Sequence, residues 1–379
     1  MKVLFLANVP APYRVHFFNE LGKRCDLTVL FEKQRSDERD PAWQADAFRH
    51  FKGVFLKGIS TRTDAAFCPG VTRYLRDRSF DCVICSTFST LTGMWAIRYM
   101  KRHRIPYYLE SDGGFARSGK GLKEWIKKRI ISGAKGYFAT ADVHDRYYQT
   151  YGADPAKIHR YPFTSLYRRE LADAPATQEE RAALRAELGM TERRIVLAVG
   201  QFIKRKGFDV LLRAMVGADE DVGCYFVGGV PTEEYLNFVR EHDLDRVHFV
   251  GFQPPEELKK YYRTADLFVL PTREDIWGLV VNEAMAQGLP VITTTRCVAG
   301  LELVKEGENG FLVPPDDAEA LRDAISRALA SSDGLAQMAD SALKMIRSYT
   351  CEEMVERHVE ILGLDSDETQ APEAERETV

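Results

Sequence analysis

The feature that most constrains the fold is an alternation of short apolar runs and helical stretches, which occurs twice along the 379-residue chain. Each apolar run has the length and composition of a buried strand. In the first half these runs are residues 2–7, 26–31, 81–85, 106–110 and 136–140. The second half repeats the pattern at 194–200, 222–227, 247–252, 265–270 and 290–294. Because strands separated by helices form parallel sheets, we expect an α/β protein with two doubly wound parallel-sheet domains.

The chain is long enough for two domains with separate cores. We place the boundary at residue 170, because the stretch 162–192 contains Ala-Asp-Ala-Pro and a charged helical pattern. Residues 1–170 then form the N-terminal domain, and residues 171–349 form the C-terminal domain. The last residues, 365–379, are acidic and lack apolar content, so we expect them to be disordered.

The composition narrows the class of protein. Hydrophobic residues make up 45% of the chain and charged residues 28%, as in an ordinary soluble protein. A net charge of −4 gives no argument for nucleic-acid binding. No apolar stretch approaches the roughly 20 residues that span a bilayer, and the N-terminus begins directly with a strand pattern rather than a signal peptide. We therefore expect a cytoplasmic protein that does not bind nucleic acid.

Two carboxylates, Asp275 and Glu283, lie eight residues apart around a turn at Gly278. A strand pattern leads into this turn and a helical pattern leaves it, so free backbone N–H groups and the positive end of a helix dipole collect there. Such a junction suits a phosphate, and carboxylates suit sugar hydroxyls. The alternative is a surface aspartate on a loop and a first-turn glutamate that merely favours the dipole.

A second junction of the same kind carries a basic pair, Arg205 and Lys206, followed by Gly207. A buried strand pattern precedes this loop, and a helical pattern, 208–215, follows it. An arginine can bind two oxygens at once and a lysine supplies a compact charge, which together suit a diphosphate. Basic pairs are more often solvated surface, so this loop alone decides nothing.

Together the two junctions resemble the retaining glycosyltransferases of family 4, which have the GT-B fold. That family has a glycine after a strand, a basic residue followed by Lys-Gly, and later an acidic residue, Gly-Leu and a glutamate. The matching residues here are Gly200, Arg205, Lys206, Gly207, Asp275, Gly278, Leu279 and Glu283. The segments 247–252, 254–258, 288–292 and 307–313 also fit the family. One departure is Asp275, where relatives usually have glutamate; Glu274 beside it is an alternative acid.

The resemblance implies two Rossmann-like domains that face each other across a cleft, with helix 350–364 returning to the N-terminal domain. The C-terminal domain would bind a nucleotide-sugar donor. The implied donor-binding residues are Gly200, Gln201, Phe252, Ile276, Trp277, Gly278, Leu279, Val280 and Glu283. Arg205 and Lys206 would stabilise the leaving diphosphate, Asp275 would bind the donor sugar, and Glu283 the ribose. No metal or other cofactor is required by this interpretation.

Loops that follow N-terminal strands are the candidates for the acceptor side. The first contains Pro12, Tyr13 and Arg14; Arg14 either binds an acceptor phosphate or carboxylate, or is a surface residue that opens the first helix. In the second loop, Glu110 or Asp112 is expected to face the donor sugar, as relatives often present a side chain there. The sequence does not decide between these two carboxylates, and Asp-Gly-Gly is also an ordinary turn.

A basic amphipathic helix is predicted within residues 117–135, with apolar residues at 122, 125, 126 and 130. Its cations are Arg117, Lys120, Lys123, Lys127, Lys128, Arg129 and Lys135. One interpretation is peripheral contact with an anionic membrane. The other is that Trp125 and the isoleucines pack on the sheet while the lysines are hydrated.

Two further motifs point weakly to metal binding. Cys82 and Cys85 form a lone Cys-x-x-Cys within a predicted buried strand, where cysteines are usually small core side chains. Asp243 and Asp245 form an Asp-x-Asp in a polar connection, which is typical of a solvated turn. Seven scattered cysteines also do not form a disulfide framework.

The function that we expect is transfer of a sugar from a UDP- or GDP-sugar to a glycan, a lipid-linked acceptor or another hydroxyl, with retention of configuration. One alternative is a sugar-nucleotide epimerase of the same fold, which needs no acceptor. Another is a non-catalytic binder of nucleotide sugars, motivated by Asp275 in place of glutamate.

Overall fold

The computed structural model describes residues 1–34, 47–116, 119 and 121–364. The strands of the N-terminal half are β1 (Lys2–Ala7), β2 (Asp26–Phe31), β3 (Lys52–Phe55), β4 (Ile59–Arg62), β5 (Ala65–Phe67), β6 (Cys82–Cys85), β7 (Tyr108–Glu110), β8 (Gly136–Ala139) and β9 (Ile158–Arg160). Within the described ranges, seven of them form one parallel sheet in the order β3-β2-β1-β6-β7-β8-β9, and β4 pairs with β5. The accompanying helices are α1 (Pro12–Leu21), α2 (Val71–Arg76), α3 (Leu91–Arg102), α4 (Leu122–Ile131) and α5 (Asp142–Thr150).

The C-terminal half begins with α6 (Gln178–Leu188). Its strands are β10 (Arg194–Gly200), β11 (Val222–Gly228), β12 (Val247–Val250), β13 (Leu267–Leu270), β14 (Val291–Thr294) and β15 (Gly310–Val313). They form a second parallel sheet in the order β12-β11-β10-β13-β14-β15. The helices that follow are α7 (Phe208–Met215), α8 (Glu233–Glu241), α9 (Pro255–Thr264), α10 (Leu279–Ala286), α11 (Val298–Leu303), α12 (Ala318–Leu329), α13 (Ser332–Ile346) and α14 (Cys351–Leu362). Short 3₁₀ turns lie at Pro155–Lys157, Arg168–Glu170 and Lys204–Lys206.

The predicted fold class, two doubly wound parallel-sheet domains, is confirmed by these two sheets. In each sheet the strand order reverses beside the first strand: β1 lies between β2 and β6, and β10 lies between β11 and β13. At such a reversal the loops at the carboxyl ends of the neighbouring strands diverge and leave a crevice, which is where ligands bind in open α/β sheets. The loops after β10 and β13 are therefore brought together by the fold.

Five strands were not predicted from the sequence, namely β3, β4, β5, β9 and β15. Most residues of β3, β4 and β9 are half-buried or exposed, and β3 and β9 are the two edges of their sheet. Because an edge strand needs no continuous apolar run, the pattern that identifies buried strands is missing there.

The last described helix, α14, packs against the N-terminal sheet rather than the sheet that precedes it in sequence. The ring of His358 lies 4.7 Å from Phe17 of α1 and stacks at 4.5 Å on Phe138 of β8. At the start of α14, the Cys351 N–H donates to the Leu166 carbonyl at 2.7 Å. The domain boundary at residue 170 stays a prediction, and the acidic stretch 365–379 lies outside the described residues.

The cysteines are free thiols, and those of β6, Cys82 and Cys85, are buried. Burial raises the pKa of each of these two thiols to about 12, so both stay protonated and behave as small apolar side chains. Among the residues that the structure describes, no three His, Cys, Asp or Glu side chains come together as a metal site. None of the described helices is long and apolar enough to cross a bilayer.

Candidate active site

The first component of the site is the turn between β13 and α10. Gly278 has φ of 106°, a conformation that favours glycine, and a Cβ there would lie 2.8 Å from the Cys297 sulfur. The Trp277 carbonyl is held from the other side by the Ala299 N–H at 2.9 Å. No side chain caps the N-terminus of α10. The Val281 N–H donates to the Gly278 carbonyl at 2.9 Å, and the N–H groups of Leu279 and Val280 are left for a ligand.

The second component is the basic loop after β10. Gly207 has φ of 69°, and a Cβ at this position would collide with the carbonyl oxygen of Pro271. This close approach lets the two loops bond to each other: the Arg273 N–H and the Thr272 hydroxyl both donate to the Arg205 carbonyl, at 2.8 Å and 2.9 Å. The glycine after the basic pair therefore positions the cations beside the acidic loop.

The cations and the first carboxylate meet directly. Lys206 Nζ lies 2.7 Å from Asp275 Oδ2, and Arg205 Nη1 lies 3.0 Å from Asp275 Oδ1. Asp275 is buried, whereas 47% of the Arg205 side chain is exposed. Two cations share one carboxylate, so the cluster carries an excess positive charge at the mouth of a helix N-terminus. An anion that arrives there is attracted by both.

Glu283 lies one turn inside α10 and is held by a residue that the sequence did not single out. The hydroxyl of buried Tyr262, on α9, donates to Glu283 Oε2 at 2.9 Å. Burial raises the pKa of Glu283, while the Tyr262 bond and the charge of Lys206 act in the opposite direction. No local sequence signal identifies Tyr262, because its role depends on how α9 packs beside α10.

Glu274, the alternative acid, is engaged elsewhere. Its carboxylate pairs with Arg296, whose guanidinium lies 4.0 Å from the centre of the Phe115 ring. Arg296 follows β14, so it lies at the same carboxyl edge of the sheet as the loop after β13. This position after a predicted strand could have identified Arg296 as a site residue. Arg205 also donates to the Glu274 backbone carbonyl, but of the two neighbouring acids Asp275 is the one whose carboxylate contacts the basic pair.

Trp277 contacts the protein core with its side chain. The indole is almost fully buried, donates to Asn282 Oδ1 at 2.8 Å and packs edge-on against Phe163 of the N-terminal half at 5.5 Å. Asn282 in turn donates to the Phe163 carbonyl at 3.2 Å. Only the backbone of Trp277 can therefore contact a ligand at the turn, and its ring joins the two halves of the molecule.

The other predicted donor residues lie around the basic loop and the turn. Gly228 of β11 approaches so closely that a Cβ there would lie 2.6 Å from the Gly200 oxygen, and the Gly229 N–H donates to that oxygen at 3.2 Å. The side chains of Gln201, Phe252 and Ile276 are exposed, and those of Leu279 and Val280 are half-buried. Gly228 and Gly229 were missed, although a Gly-Gly pair after a strand is a recognisable signal.

The N-terminal half contributes a separate charge cluster. Arg14 Nη1 donates to Glu110 Oε1 at 2.5 Å, and its other terminal nitrogen bonds Asp112. Tyr13 donates to Asp112 Oδ2 at 2.9 Å, and Tyr161 donates to Glu110 Oε1 at 3.1 Å. Burial alone would lower the pKa of Arg14, but the two carboxylates hold it above its ordinary value.

This cluster corrects one interpretation of the sequence. Arg14 follows Pro12 at the start of α1 as expected, but it is buried rather than a surface residue, because both carboxylates occupy its guanidinium. Glu110 is fully buried, whereas the Asp112 side chain retains partial exposure. Of the two carboxylates that the sequence left open, Asp112 is the one that solvent can reach.

The two halves touch where these clusters face each other. Gly113 has φ of 148°, and a Cβ there would collide with the carbonyl oxygen of Ile276. The loop that carries Asp112 therefore lies directly against the turn that opens α10. A side chain larger than hydrogen at position 113 would push these two loops apart.

Comparison with known proteins places the chain in a family. Residues 180–345 match the family model described as "Glycosyl transferases group 1", and residues 10–164 match a "Glycosyl transferase 4-like domain". A D-inositol 3-phosphate glycosyltransferase from Corynebacterium efficiens is 30% identical over 328 residues, which cover 79% of this chain and 75% of that protein. The chain belongs to the family 4, group 1 glycosyltransferases. The predicted membership is thereby confirmed.

Other relatives of this family 4 member align over shorter stretches. Spore coat protein SA of Bacillus subtilis is 34% identical over 166 residues, covering 39% of this chain and 44% of that protein. The D-inositol 3-phosphate glycosyltransferase of Corynebacterium diphtheriae is 32% identical over 202 residues, covering 50% of this chain and 47% of that protein. The chain thus spans about half the length of these relatives.

Solved structures share the fold at low identity. HepE from Anabaena, solved in complex with UDP, superposes with a TM-score of 0.78 at 18% identity over 96% of this chain and 100% of that one. Sucrose-phosphate synthase from Thermosynechococcus elongatus gives 0.74 at 21% identity over 95% and 98%. Both likenesses cover nearly the whole chain, so both domains of the GT-B fold are present.

Proposed function

We propose that this protein transfers a glycosyl group from a UDP- or GDP-sugar to a hydroxyl acceptor, with retention of the anomeric configuration. The observation that carries the proposal is the convergence of Arg205, Lys206 and Asp275 at the uncapped N-terminus of α10, with Glu283 one turn further on. A diphosphate needs cations and N–H donors, while its sugar and ribose need carboxylate acceptors. These groups occur together in this crevice.

In the proposed complex the diphosphate lies between the basic pair and the N–H groups of residues 276–280. Glu283 accepts hydrogen bonds from the ribose, and Asp275 accepts them from the donor sugar. Gly200, Gln201 and Phe252 contact the nucleoside. The solved complexes of the Anabaena protein with UDP and with UDP-glucose support a nucleotide sugar as the donor.

The reaction breaks the bond between the anomeric carbon and the diphosphate oxygen and forms a bond from that carbon to the acceptor oxygen. Negative charge grows on the departing diphosphate, where Arg205 and Lys206 stabilise it without reorganising. If the acceptor attacks on the face from which the diphosphate leaves, configuration is retained and the acceptor proton passes to a diphosphate oxygen. The products are a glycoside and a nucleoside diphosphate, and no protein general base or metal ion is required.

Asp112 faces this crevice from the N-terminal half and is proposed to bind the transferred sugar or the acceptor. Arg14 and Tyr13 fix its carboxylate from behind, so they act as positioning residues. Pro12 and Tyr13 lie at the acceptor side of the cleft. The acceptor class is a glycan, a lipid-linked glycan or another hydroxyl compound.

The proposal is tested by turnover in the presence of EDTA. Purified protein is incubated with UDP- and GDP-sugars and a panel of hydroxyl acceptors, and both nucleoside diphosphate release and glycoside formation are measured. We expect one donor to be consumed with matching amounts of both products, and proton NMR coupling constants to show the anomeric configuration of the donor in the glycoside. Isomerised donor without acceptor, an inverted product or a strict metal requirement would each contradict a part of the proposal.

A further inference from the structure

A second surface, remote from the basic pair of the donor site, combines exposed apolar residues with cations. It is formed by α3 and α4, and we call it the α3–α4 face. A groove of about 790 Å³ runs between the two helices. Leu91, Trp95 and Trp125 line this groove and do not belong to the core of the N-terminal sheet.

Most of the apolar side chains of helix α4 are not fully buried. Of its residues only Ile131 is fully buried, while Leu122 and Trp125 are 72% and 57% exposed. The guanidinium of Arg129 lies 5.6 Å from the Trp125 ring centre, one turn further along the exposed side. The interpretation that Trp125 packs on the sheet is therefore wrong, because its ring faces outward.

Helix α3 presents a matching stripe. Leu91 and Trp95 are 52% and 42% exposed and lie one turn apart on the helix. The same stripe continues with Arg98 and Arg102, both exposed. Two tryptophans and two leucines are thus exposed on adjacent helices, so these apolar side chains are clustered rather than scattered.

The charges on this face are almost all of one sign. The cations of the two helices are Arg98, Lys101, Arg102, Lys123, Lys127, Lys128 and Arg129, and Glu124 is the only acid on either helix. Among the described residues, no ion pair neutralises Lys123, Lys128 or Arg129. The whole chain has a net charge of −4, so the α3–α4 face is a local reversal of the protein's charge.

We propose that the α3–α4 face docks on an anionic lipid bilayer. Tryptophan side chains favour the boundary between headgroups and acyl chains, and lysine and arginine keep their charges at the headgroups while their stems cover apolar surface. A second copy of this chain that docked through the same face would bring like charges together at the groove. A nucleic acid would leave the exposed Leu91, Trp95, Leu122 and Trp125 without apolar partners.

The orientation of the two helices links the bilayer to the cleft. Helices α3 and α4 follow β6 and β7, so their first residues, Leu91 and Leu122, lie toward the carboxyl edge of the sheet. Asp112 lies at the same edge. This step depends on the proposed transfer reaction: a bilayer at the face would present a lipid-linked acceptor beside Asp112, on the N-terminal side of the crevice.

Sedimentation with lipid vesicles tests the docking itself, independently of transfer. We expect the full-length protein to bind vesicles that contain phosphatidylglycerol, to bind phosphatidylcholine vesicles much more weakly, and to dissociate at high salt. Bound protein should show a blue shift of tryptophan emission that disappears in the double variant Trp95→Phe, Trp125→Phe. Binding that does not depend on phosphatidylglycerol, or a blue shift retained in that variant, would overturn the proposal.

Charge-reversal variants locate the contact. Lys123→Glu with Lys128→Glu should weaken vesicle binding at least about 20-fold, since each cation near an anionic surface contributes on the order of a fivefold change. The matched control, Lys259→Glu with Lys344→Glu, makes the same charge change on exposed lysines of the C-terminal half and should bind as the unaltered protein does. Equal weakening by both pairs, or a dimer in solution that is broken by the first pair, would overturn it. Thermal midpoints verify that each variant is folded.

Discussion

The two halves of the molecule each place an arginine beside carboxylates at the carboxyl edge of a parallel sheet, but with opposite net charge. In the N-terminal cluster one cation, Arg14, serves two acids, and its side chain is only 8% exposed. In the C-terminal cluster Arg205 and Lys206 serve one acid, Asp275, and Arg205 is half-exposed. We call the first the closed cluster, because its arginine and Glu110 are buried, although Glu110 Oε2 has no hydrogen-bond partner among the described residues. The second, which we call the open cluster, has an excess positive charge that faces a crevice.

This difference separates structure from binding. A buried cation between two carboxylates cannot leave them without exposing uncompensated charge, so Arg14 holds Glu110 and Asp112 in place. A half-exposed cation that shares one carboxylate with a lysine can bind an incoming anion at little cost. An arginine at a cleft is therefore not enough to identify a ligand site; its burial and its partners must also be known.

The largest expected effect is on the closed cluster. Arg14→Met should lower the free energy of unfolding by about 3–5 kcal/mol, because it leaves the buried Glu110 carboxylate without its cation. Arg24→Met removes a surface pair with Glu356 near the same helix and should cost about 0–1 kcal/mol. Denaturant unfolding of both variants measures the contrast, and equal losses would show that burial does not distinguish the two pairs.

The open cluster should respond in activity rather than stability. Lys206→Ala is expected to lower kcat by about 10²–10³-fold, since it removes a charge that stabilises the departing diphosphate. The neighbouring Lys204→Ala deletes the same charge one position outside the pair and should leave kcat nearly unchanged. Steady-state kinetics with folded variants decide the matter, and identical kcat values for the two would remove Lys206 from the mechanism.

Lowering the pH should destabilise the folded protein through His144, which is linked to Asp112 of the N-terminal cluster by way of Thr140. His144 accepts the Thr140 N–H at 3.2 Å, and Thr140 donates to the Asp112 carbonyl. Burial lowers the pKa of His144 to about 3, so the unfolded chain binds this proton first, and stability is lost as pH falls from about 6.5 toward 3. By pH 5 the loss is about 2 kcal/mol.

His144→Phe should flatten this acid dependence while imposing a loss that does not vary with pH, from the unpaired Thr140 N–H. The comparison requires unfolding free energies of both proteins at several pH values between about 7 and 5. Parallel curves would show that His144 is protonated in the folded protein, in contradiction to its burial.

Glu283 should behave in the opposite way. Its pKa is raised by burial, so its favourable contribution to folding is present at pH below the ordinary glutamate pKa and is lost as pH rises through the folded value. Glu283→Gln is therefore expected to raise the melting temperature near neutral pH and to weaken nucleoside diphosphate binding. A lower melting temperature with unchanged affinity would assign Glu283 a structural role.

Asp275→Asn separates two roles of this carboxylate, which are to neutralise Arg205 and Lys206 and to bind the donor sugar. Of the changes considered, it is expected to alter nucleotide affinity least. The variant should bind free UDP or GDP as well as or better than the original protein, because Arg205 and Lys206 lose a competing anion. Transfer should nevertheless fall, since asparagine replaces one of the two carboxylate oxygens that accept hydrogen bonds from the hydroxyls of the donor sugar. Titration calorimetry and kinetics measure the two quantities, and parallel losses in both would contradict separate roles.

Much of the fold and part of the site could be predicted from local patterns. The apolar runs identify the buried strands, and Gly207 and Gly278 identify sharp turns because few other residues adopt positive φ. The pairing of Lys206 with Asp275 was not predicted, although it follows once β10 and β13 are known to be neighbours in the sheet.

The remaining features depend on packing between distant segments. Arg14 and Glu110 are 96 positions apart, and nothing in either loop indicates that they meet. Tyr262 reaches Glu283 only because α9 lies beside α10. The exposure of Trp125 was equally hidden, since an amphipathic pattern has the same spacing whether its apolar side is covered or open.

The most direct test of the central claim, that the open cluster binds the diphosphate of a nucleotide sugar, is titration calorimetry in EDTA. UDP and GDP are compared with uridine and guanosine, on the original protein, Lys206→Ala and Lys204→Ala. We predict that one nucleoside diphosphate binds well above its nucleoside, and that this advantage is lost only in Lys206→Ala. Equal advantages in all three proteins, or none in the original protein, would contradict the account.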